Sequence, residues 1–464
     1  MKGGAVIRIQ HWLWLIVLGT LAGCAQLPRN ESSTPPSIIL VLADDLGWAD
    51  ISCQGSAWET PSIDRLAAEG VRLTRAYSNG PNCAPSRACL MTGLDVAAHG
   101  VFTVAPAARG KAENRKLVPP KTRRTLQDTD VSIAEMLKSS GYRSAHIGKW
   151  HLGDDPSSQG FDVSIAGDRR GHPKTHLAPW KLPNLPEQAD GTELADALTD
   201  HAIDFIRECG DQPYLLVLSH YAVHTPVQVS DEALNRWQKR LPGATRRQQK
   251  YAALVDSVDR SVARLMQQVE SSGKSDDTVI IFTSDNGGLE GFTDNGPLRG
   301  GKGMLYEGGI RVPLIFWGDR FSGGRVVEGN PVQLTDLAPT FLEWAKTNPP
   351  ASGSLNGASL VQLLEEERDL PPRDLYWHFP AYLSGSAKRH GLWRTTPVSA
   401  IMNGDDKLME FYESEELQLY DLSVMTEEED FSEFEPQKVM DLQNRLERWL
   451  RNRKMPMPTR PEGP

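Results

Sequence analysis

Four apolar runs in the chain each end in polar residues able to do chemistry. Asp44 and Asp45 follow SIILVLA (37–43), and Lys149 and His151 follow the extended stretch 142–147. His224 lies five residues beyond YLLVLS (214–219), and Asp285 and Asn286 follow TVIIFTS (278–284). An Asp or Asn behind a strand is commonly just a turn residue, but four such ends together make that reading poor. Asp44, Asp45, Asp285 and Asn286 are hard oxygen donors, suited to calcium or magnesium. Lys149 and His151, two apart in an extended segment, are expected to point the same way. One metal, a lysine and two histidines suit a substrate bearing a tetrahedral anion. The metal and lysine would stabilise charge while a histidine protonates a leaving oxygen.

Cys83 sits in NCAPSRACLMTG (82–93), just ahead of Pro85, a residue comfortable in a first helical turn. A short helix is expected over 85–90, with Arg87 in its first turn. Its N-terminus would seat an anion and lower the pKa of the thiol. From the residues alone, a nucleophilic cysteine and a buried structural one both remain open.

These side chains need a scaffold. Apolar strands alternate with amphipathic helices over 60–70, 132–140, 193–208 and 248–270, the second opening with Ser132 and Glu135 in capping-box spacing. A further apolar run, VPLIFW, covers 312–317. This pattern implies an α/β fold with a large, mostly parallel sheet between helices, whose ligands bind beyond the strands' carboxyl ends. The catalytic domain is expected over 38–366. A smaller C-terminal α+β subdomain with a small antiparallel sheet and a last helix near 437–453 is expected over 367–455, and a tail over 456–464. TEEEDFSEFE (426–435) reads as a solvated acidic loop.

CAPSR (83–87), with Leu90, Thr92 and Gly93, is similar to the C-x-P-S-R-x-x-L-x-T-G signature of type I sulfatases of the alkaline phosphatase superfamily. ADDLGWAD (43–50), GKWHLG (148–153), HTP (224–226), SDNGG (284–288) and GGKGMLYEGGIRVP (300–313) resemble further family motifs, in family order. Ala49 and Val223 depart from common family residues but carry no charge. The resemblance implies that Cys83 is oxidised by a maturation enzyme to formylglycine, whose hydrate attacks sulfur. It implies a calcium held by Asp44, Asp45, residue 83, Asp285 and Asn286. Arg87 would orient the nucleophile, and Lys149 and Lys302 would grip the sulfate. His224 would serve the departing alcohol, and His151 would take the last proton before C–O cleavage. A phosphoester or phosphonate hydrolase of the same superfamily and a non-catalytic glycan-binding lipoprotein are the alternatives.

The chain has 464 residues and a formal net charge of -10, which argues against nucleic-acid binding. Residues 1–23 read as a signal peptide with an apolar core too short to span a bilayer. The segment LAGC (21–24) resembles a lipobox, implying lipidation of Cys24, and residues 24–37 suit a tether. An exported, membrane-anchored bacterial lipoprotein, periplasmic or on the cell surface, is expected, acting on sulfated carbohydrate. The chain holds five cysteines and no C-x-x-C pair, which argues against zinc and leaves one disulfide open. Seven basic residues fall between 101 and 124, and more near 169–174 and 388–390. These stretches could line subsites for a polyanion. Arg170, His172, His176, Trp180 and His378 are candidate sugar contacts.

Overall fold

A computed structural model describes residues 1, 35–321, 323–349, 355–424 and 426–461. The signal peptide, Cys24 and nearly all of the tether lie outside the described residues. The unit from Thr34 onward is built on a nine-stranded sheet. Its strands are β1 (Ser37–Ala43), β2 (Val71–Tyr77), β3 (Arg143–Gly148), β4 (Val163–Ile165), β5 (Tyr214–Ser219), β6 (Thr278–Ser284), β7 (Arg311–Trp317), β8 (Arg325–Val327) and β9 (Val332–Gln333). The order is β4-β3-β5-β1-β6-β7-β2-β8, with β9 also on β2. From β4 to β6 all neighbours are parallel, and β7 runs antiparallel to both β6 and β2.

The central strands read as unbroken apolar runs because helices cover both faces. Alternate residues serve opposite cores. Ile38, Leu40 and Leu42 of β1 pack with Leu90, Ile133 and Phe341. Ile39 and Val41 pack on the other side with Leu198, Val258 and Leu265. The helix at 132 starts as its capping box requires, with Ser132 Oγ accepting from Glu135 N. Helices Leu194–Cys209 and Arg246–Ser271 fall within two residues of expectation. Thr60 precedes the helix Pro61–Glu69 but does not cap it; Asp259 of a neighbouring helix accepts from Ser62 and Ile63 N–H instead.

The C-terminal part forms a four-stranded antiparallel sheet of β10 (Asp374–Phe379), β13 (Val398–Asn403), β14 (Asp406–Phe411) and β15 (Glu416–Asp421). The helix Pro436–Asn452 packs on it through Leu442 and Leu446. A small hairpin, β11 (Leu383–Ser384) with β12 (Trp393–Thr395), projects between β10 and β13 in sequence. Cys53, Cys83, Cys89 and Cys209 are all unpaired.

The acidic stretch at 426–435 corrects the expectation of a wholly solvated loop. Glu427 is fully buried, and Lys407 Nζ on β14 donates to Glu427 Oε1 and Glu307 Oε1, both at 2.9 Å. Glu307 N donates to Glu427 Oε2 at 2.7 Å, and Tyr77 OH to Glu307 Oε2 at 2.9 Å. Burial pushes the Glu427 carboxyl up to about 7, against the pull of Lys407. Glu307 belongs to the 300–313 segment that carries Lys302, so the C-terminal sheet braces that segment. Replacing Lys407 by Met would leave the buried Glu427 carboxylate without its cation and Glu307 with Arg311 alone, 3.5 Å away. We expect a loss of about 3–5 kcal/mol in unfolding free energy by denaturant titration; a loss under ~1 kcal/mol would show that the triad is no brace.

Candidate active site

The sheet register brings the site together. Ala43 pairs with Ser284, Leu42 with Ser219, and Gly148 with Ser219. Four parallel strands therefore end level, and Asp44, Asp45, Lys149, His224, Asp285 and Asn286 emerge at one edge. Backbone hydrogen bonds lock the exits: Asp285 N donates to Ala43 O at 3.1 Å and Lys149 N to Ser219 O at 2.8 Å.

The helix carrying the cysteine runs Cys83–Thr92, two residues longer at its start than expected. Cys83 is its first residue, and Asn82, at the cap, has no side-chain capping bond. The helix is buried throughout, and Arg87 projects across the strand ends. Arg87 Nε donates to Asp285 Oδ2 at 2.7 Å; its Nη1 donates to Lys149 O at 2.8 Å and Ser219 Oγ at 2.5 Å. Lys149 Nζ donates to Asp44 Oδ2 and Lys302 Nζ to Asp45 Oδ2, both at 2.7 Å. Three buried carboxylates thus face three cations. Lys302 Nζ is 3.3 Å from Cys83 Sγ, which lies 3.6 and 3.7 Å from oxygens of Asp44 and Asp45.

Burial dominates the electrostatics. It pushes Asp44 up to about 7, with Asp285 and Asp45 adding repulsion that Lys149 offsets only in part. Burial acts the same way on Asp45 and Asp285, but Lys302 beside the first and Arg87 beside the second outweigh it and hold both below the usual range. The Cys83 thiol is pushed up to about 12, again by burial, despite both lysines. The helix N-terminus therefore does not yield the acidic thiol expected from sequence. Burial also holds His224 down to about 3 and His151 well below its ordinary value.

A divalent cation fits this donor set. One donor atom each from Asp44, Asp45, Cys83 and His224 lie within 4.8 Å of one another. Asn286 Nδ2 donates to Asp45 Oδ1 at 2.9 Å, while its buried Oδ1 has no partner. A cation would satisfy that oxygen and offset the burial and repulsion that push Asp44 up.

The two histidines are held differently. His224 Nδ1 donates to Thr225 O at 2.8 Å, leaving Nε2 3.5 Å from Asp45 Oδ2. Lys149 and His151 do not share an extended strand. β3 ends at Gly148, whose φ of 104° and contact with Ser219 O leave no room for a Cβ. His151 follows in the left-handed region at φ 64°. This turn buries Lys149 behind Asp44 and swings His151 into a cavity of about 480 Å³ with Cys83, His172, His224 and Lys302.

Of the candidate sugar contacts, only His172 lines this cleft, its ring stacked on His224 at 5.8 Å. His176 is buried beneath, its Nε2 donating to His224 O at 2.9 Å, so it positions that loop. Trp180 is a core residue beside Leu182 and Leu194. Arg170 is spent on Asp168 (2.5 Å) and on the Lys181 carbonyl. His378 is buried in β10 between Ser399 Oγ (2.7 Å) and Pro456 O (3.2 Å), because its strand position faces inward. Sequence reading missed Arg394, which lines the cleft with Arg109, Leu383 and Ser384.

Comparison with known proteins agrees with this geometry. The family model "Sulfatase" matches residues 36–347, and "N-sulphoglucosamine sulphohydrolase, C-terminal" matches 301–455. A protein named "Sulfatase" from Formosa agariphila is 32% identical over 91% of this chain and 90% of its own length. Human N-acetylgalactosamine-6-sulfatase is 29% identical over 83% of this chain and 76% of its own. The crystal structure of Ps i-CgsB in complex with k-i-k-neocarrahexaose superposes with TM-score 0.75 at 26% identity, covering 91% of this chain and 98% of that one. With the six motifs converging on one strand edge, the chain belongs to the type I sulfatases of the alkaline phosphatase superfamily and is a sulfuric ester hydrolase.

Proposed function

We propose that the protein removes sulfate from a sulfated carbohydrate outside the cytoplasm, using an oxygen nucleophile made from Cys83 and a bound calcium ion. The seat of Cys83 carries this reading: it begins a buried helix, beside Lys302 and the Asp44–Asp45 pair, on the floor of the cleft. A thiol pushed up to about 12 by burial is a poor nucleophile at neutral pH. Formylglycine at this position, made by a maturation enzyme, would supply a hydrated aldehyde oxygen in its place. Calcium held by Asp44, Asp45, residue 83, Asp285 and Asn286 would polarise a sulfate oxygen.

The chain's own residues do the rest. Arg87 fixes Asp285, and through Ser219 and the Lys149 carbonyl it fixes two strand ends. Lys302 faces the sulfate position directly, and Lys149 contributes its charge from behind Asp44. His224 and Lys302 stand where the leaving alcohol departs, and His151 is placed to take the proton from the nucleophile. A bound sulfate ester sets an anion against both rings and raises their affinity for a proton. The likeness to human N-acetylgalactosamine-6-sulfatase and to the neocarrahexaose complex of Ps i-CgsB supports a sugar substrate. The lipobox-like LAGC (21–24) supports export and lipid anchoring at Cys24, in the periplasm or at the cell surface.

Four measurements test this. Protein made with its maturation enzyme is expected to hydrolyse nitrophenyl sulfate faster than nitrophenyl phosphate; the reverse order would move it to the phosphoester hydrolases. Cys83→Ala is expected to cut kcat by at least ~10⁴-fold with an unchanged circular dichroism spectrum. Mass spectrometry of active enzyme that finds an intact thiol at 83 would overturn the nucleophile. Calcium at about 100 times its Kd is expected to raise Tm by roughly 3 °C, and Asp285→Asn to abolish the rise.

A further inference from the structure

We propose that the substrate carries a second anionic group, sulfate or carboxylate, next to the scissile sulfate ester, and that Arg109 and Arg394 bind it. This rests on the sulfatase reading and deepens it.

Of the seven basic residues between 101 and 124, Arg109 alone lines the cleft that holds Cys83 and Lys302. Arg394, on β12, reaches the same cleft from the C-terminal part. The two arms are fastened to each other. Tyr382 N donates to Ala107 O at 3.0 Å, and the Trp393 ring covers Gly110 so closely that a Cβ there would sit 2.4 Å from it. Arg115 Nη1 donates to the carbonyls of Arg109 and Gly110 at 2.9 and 2.8 Å. Arg394 lies over Gly303, and its Nη1 donates to Lys302 O at 3.1 Å. Arg394 is therefore placed directly beside the lysine that faces the nucleophile.

Neither arginine is neutralised by the protein. Arg109 Nη2 donates to Val104 O at 3.1 Å, so both side chains are anchored on carbonyls alone. Among the described residues neither forms an ion pair, and the buried Nε of each has no partner. Glu290, whose charge reaches Arg394, is held by His390 at 2.6 Å. Arg260 and Arg75, also partly buried, are by contrast satisfied by carboxylates, the first by Glu193 and Asp256 and the second by Asp405; Arg325 rests on carbonyls as Arg109 and Arg394 do, but outside the cleft. Burial lowers the pKa of Arg394; the charges of Glu290 and Asp45 oppose it without outweighing it, and Arg109 adds a smaller repulsion. Neutral hydroxyls would not offset that repulsion. A planar anion such as carboxylate, or a second sulfate, matches guanidinium donors and removes the repulsion.

The test uses matured enzyme and three substrates sharing one sugar and one scissile sulfate. The first has no other charge, the second an adjacent second sulfate, and the third an adjoining uronic acid carboxylate. Released sulfate gives kcat/KM for each. Wild type is expected to favour one of the doubly charged substrates over the first by about 100-fold, and Arg109→Gln and Arg394→Gln each to cut that preference by about tenfold, through KM. The preference is a ratio within one preparation, so a partly misfolded variant does not distort it. The favoured dianion identifies the group as sulfate or carboxylate. Hydrolysis of nitrophenyl sulfate with a wild-type preference below about twofold, or a preference that survives both substitutions, overturns this proposal alone. No release from any sulfate ester overturns the sulfatase reading with it.

Discussion

The site depends on burying three carboxylates at one point of a dry sheet edge. Asp44, Asp45 and Asp285 are all essentially inaccessible to solvent. Each would lose its charge on burial unless something opposes desolvation. The protein opposes it with three cations from three distant segments: Arg87 from the cysteine helix, Lys149 from the end of β3 and Lys302 from a loop before β7. The balance is uneven: Asp44 is still pushed up to about 7, while Asp45 and Asp285 are held below the usual range. A divalent cation among these oxygens would offset the burial that holds Asp44 up.

That balance constrains the rest of the chain. Lys302 must reach Asp45 from a segment with little regular structure, so the segment has to be held from outside. Glu307 anchors it through Lys407 and Glu427, and Arg394 anchors it through the Lys302 carbonyl. Both devices come from the C-terminal part. The small sheet is therefore more than a covering: it fixes a charged side chain against the nucleophile and also supplies a wall of the cleft.

What could be read from sequence follows from where the information lies. Parallel strands covered on both faces are visible as apolar runs, and their level endings follow from parallel pairing, so the convergence of Asp44, Asp45, Lys149, His224, Asp285 and Asn286 at one edge was legible. The Cys83 helix was legible through Pro85, though its first turn begins at the cysteine itself. Side-chain direction beyond a strand end was not legible. The turn at Gly148–His151 replaced an extended path and sent Lys149 inward. Burial inside the C-terminal sheet was hidden as well. His378 and Glu427 are polar residues satisfied by partners 20 to 120 positions away, and no local pattern records such pairs. Arg394 was invisible for the same reason: it sits in a three-residue strand and matters only because the hairpin folds back over Gly303.

This division has a consequence for specificity. Asp44, Asp45, Lys149, Asp285 and Asn286 are fixed at strand ends by the sheet, whose register tolerates no slip without turning core residues outward. The groups that meet the rest of the substrate sit on a loop at 104–110 and on the β11–β12 hairpin, which pack on each other. Elements of that kind can change length and charge without disturbing the strand ends. The strand-end cluster and the loops around the cleft are thus separable parts of the chain, joined where Arg394 touches the backbone of Lys302 and where His390 holds Glu290.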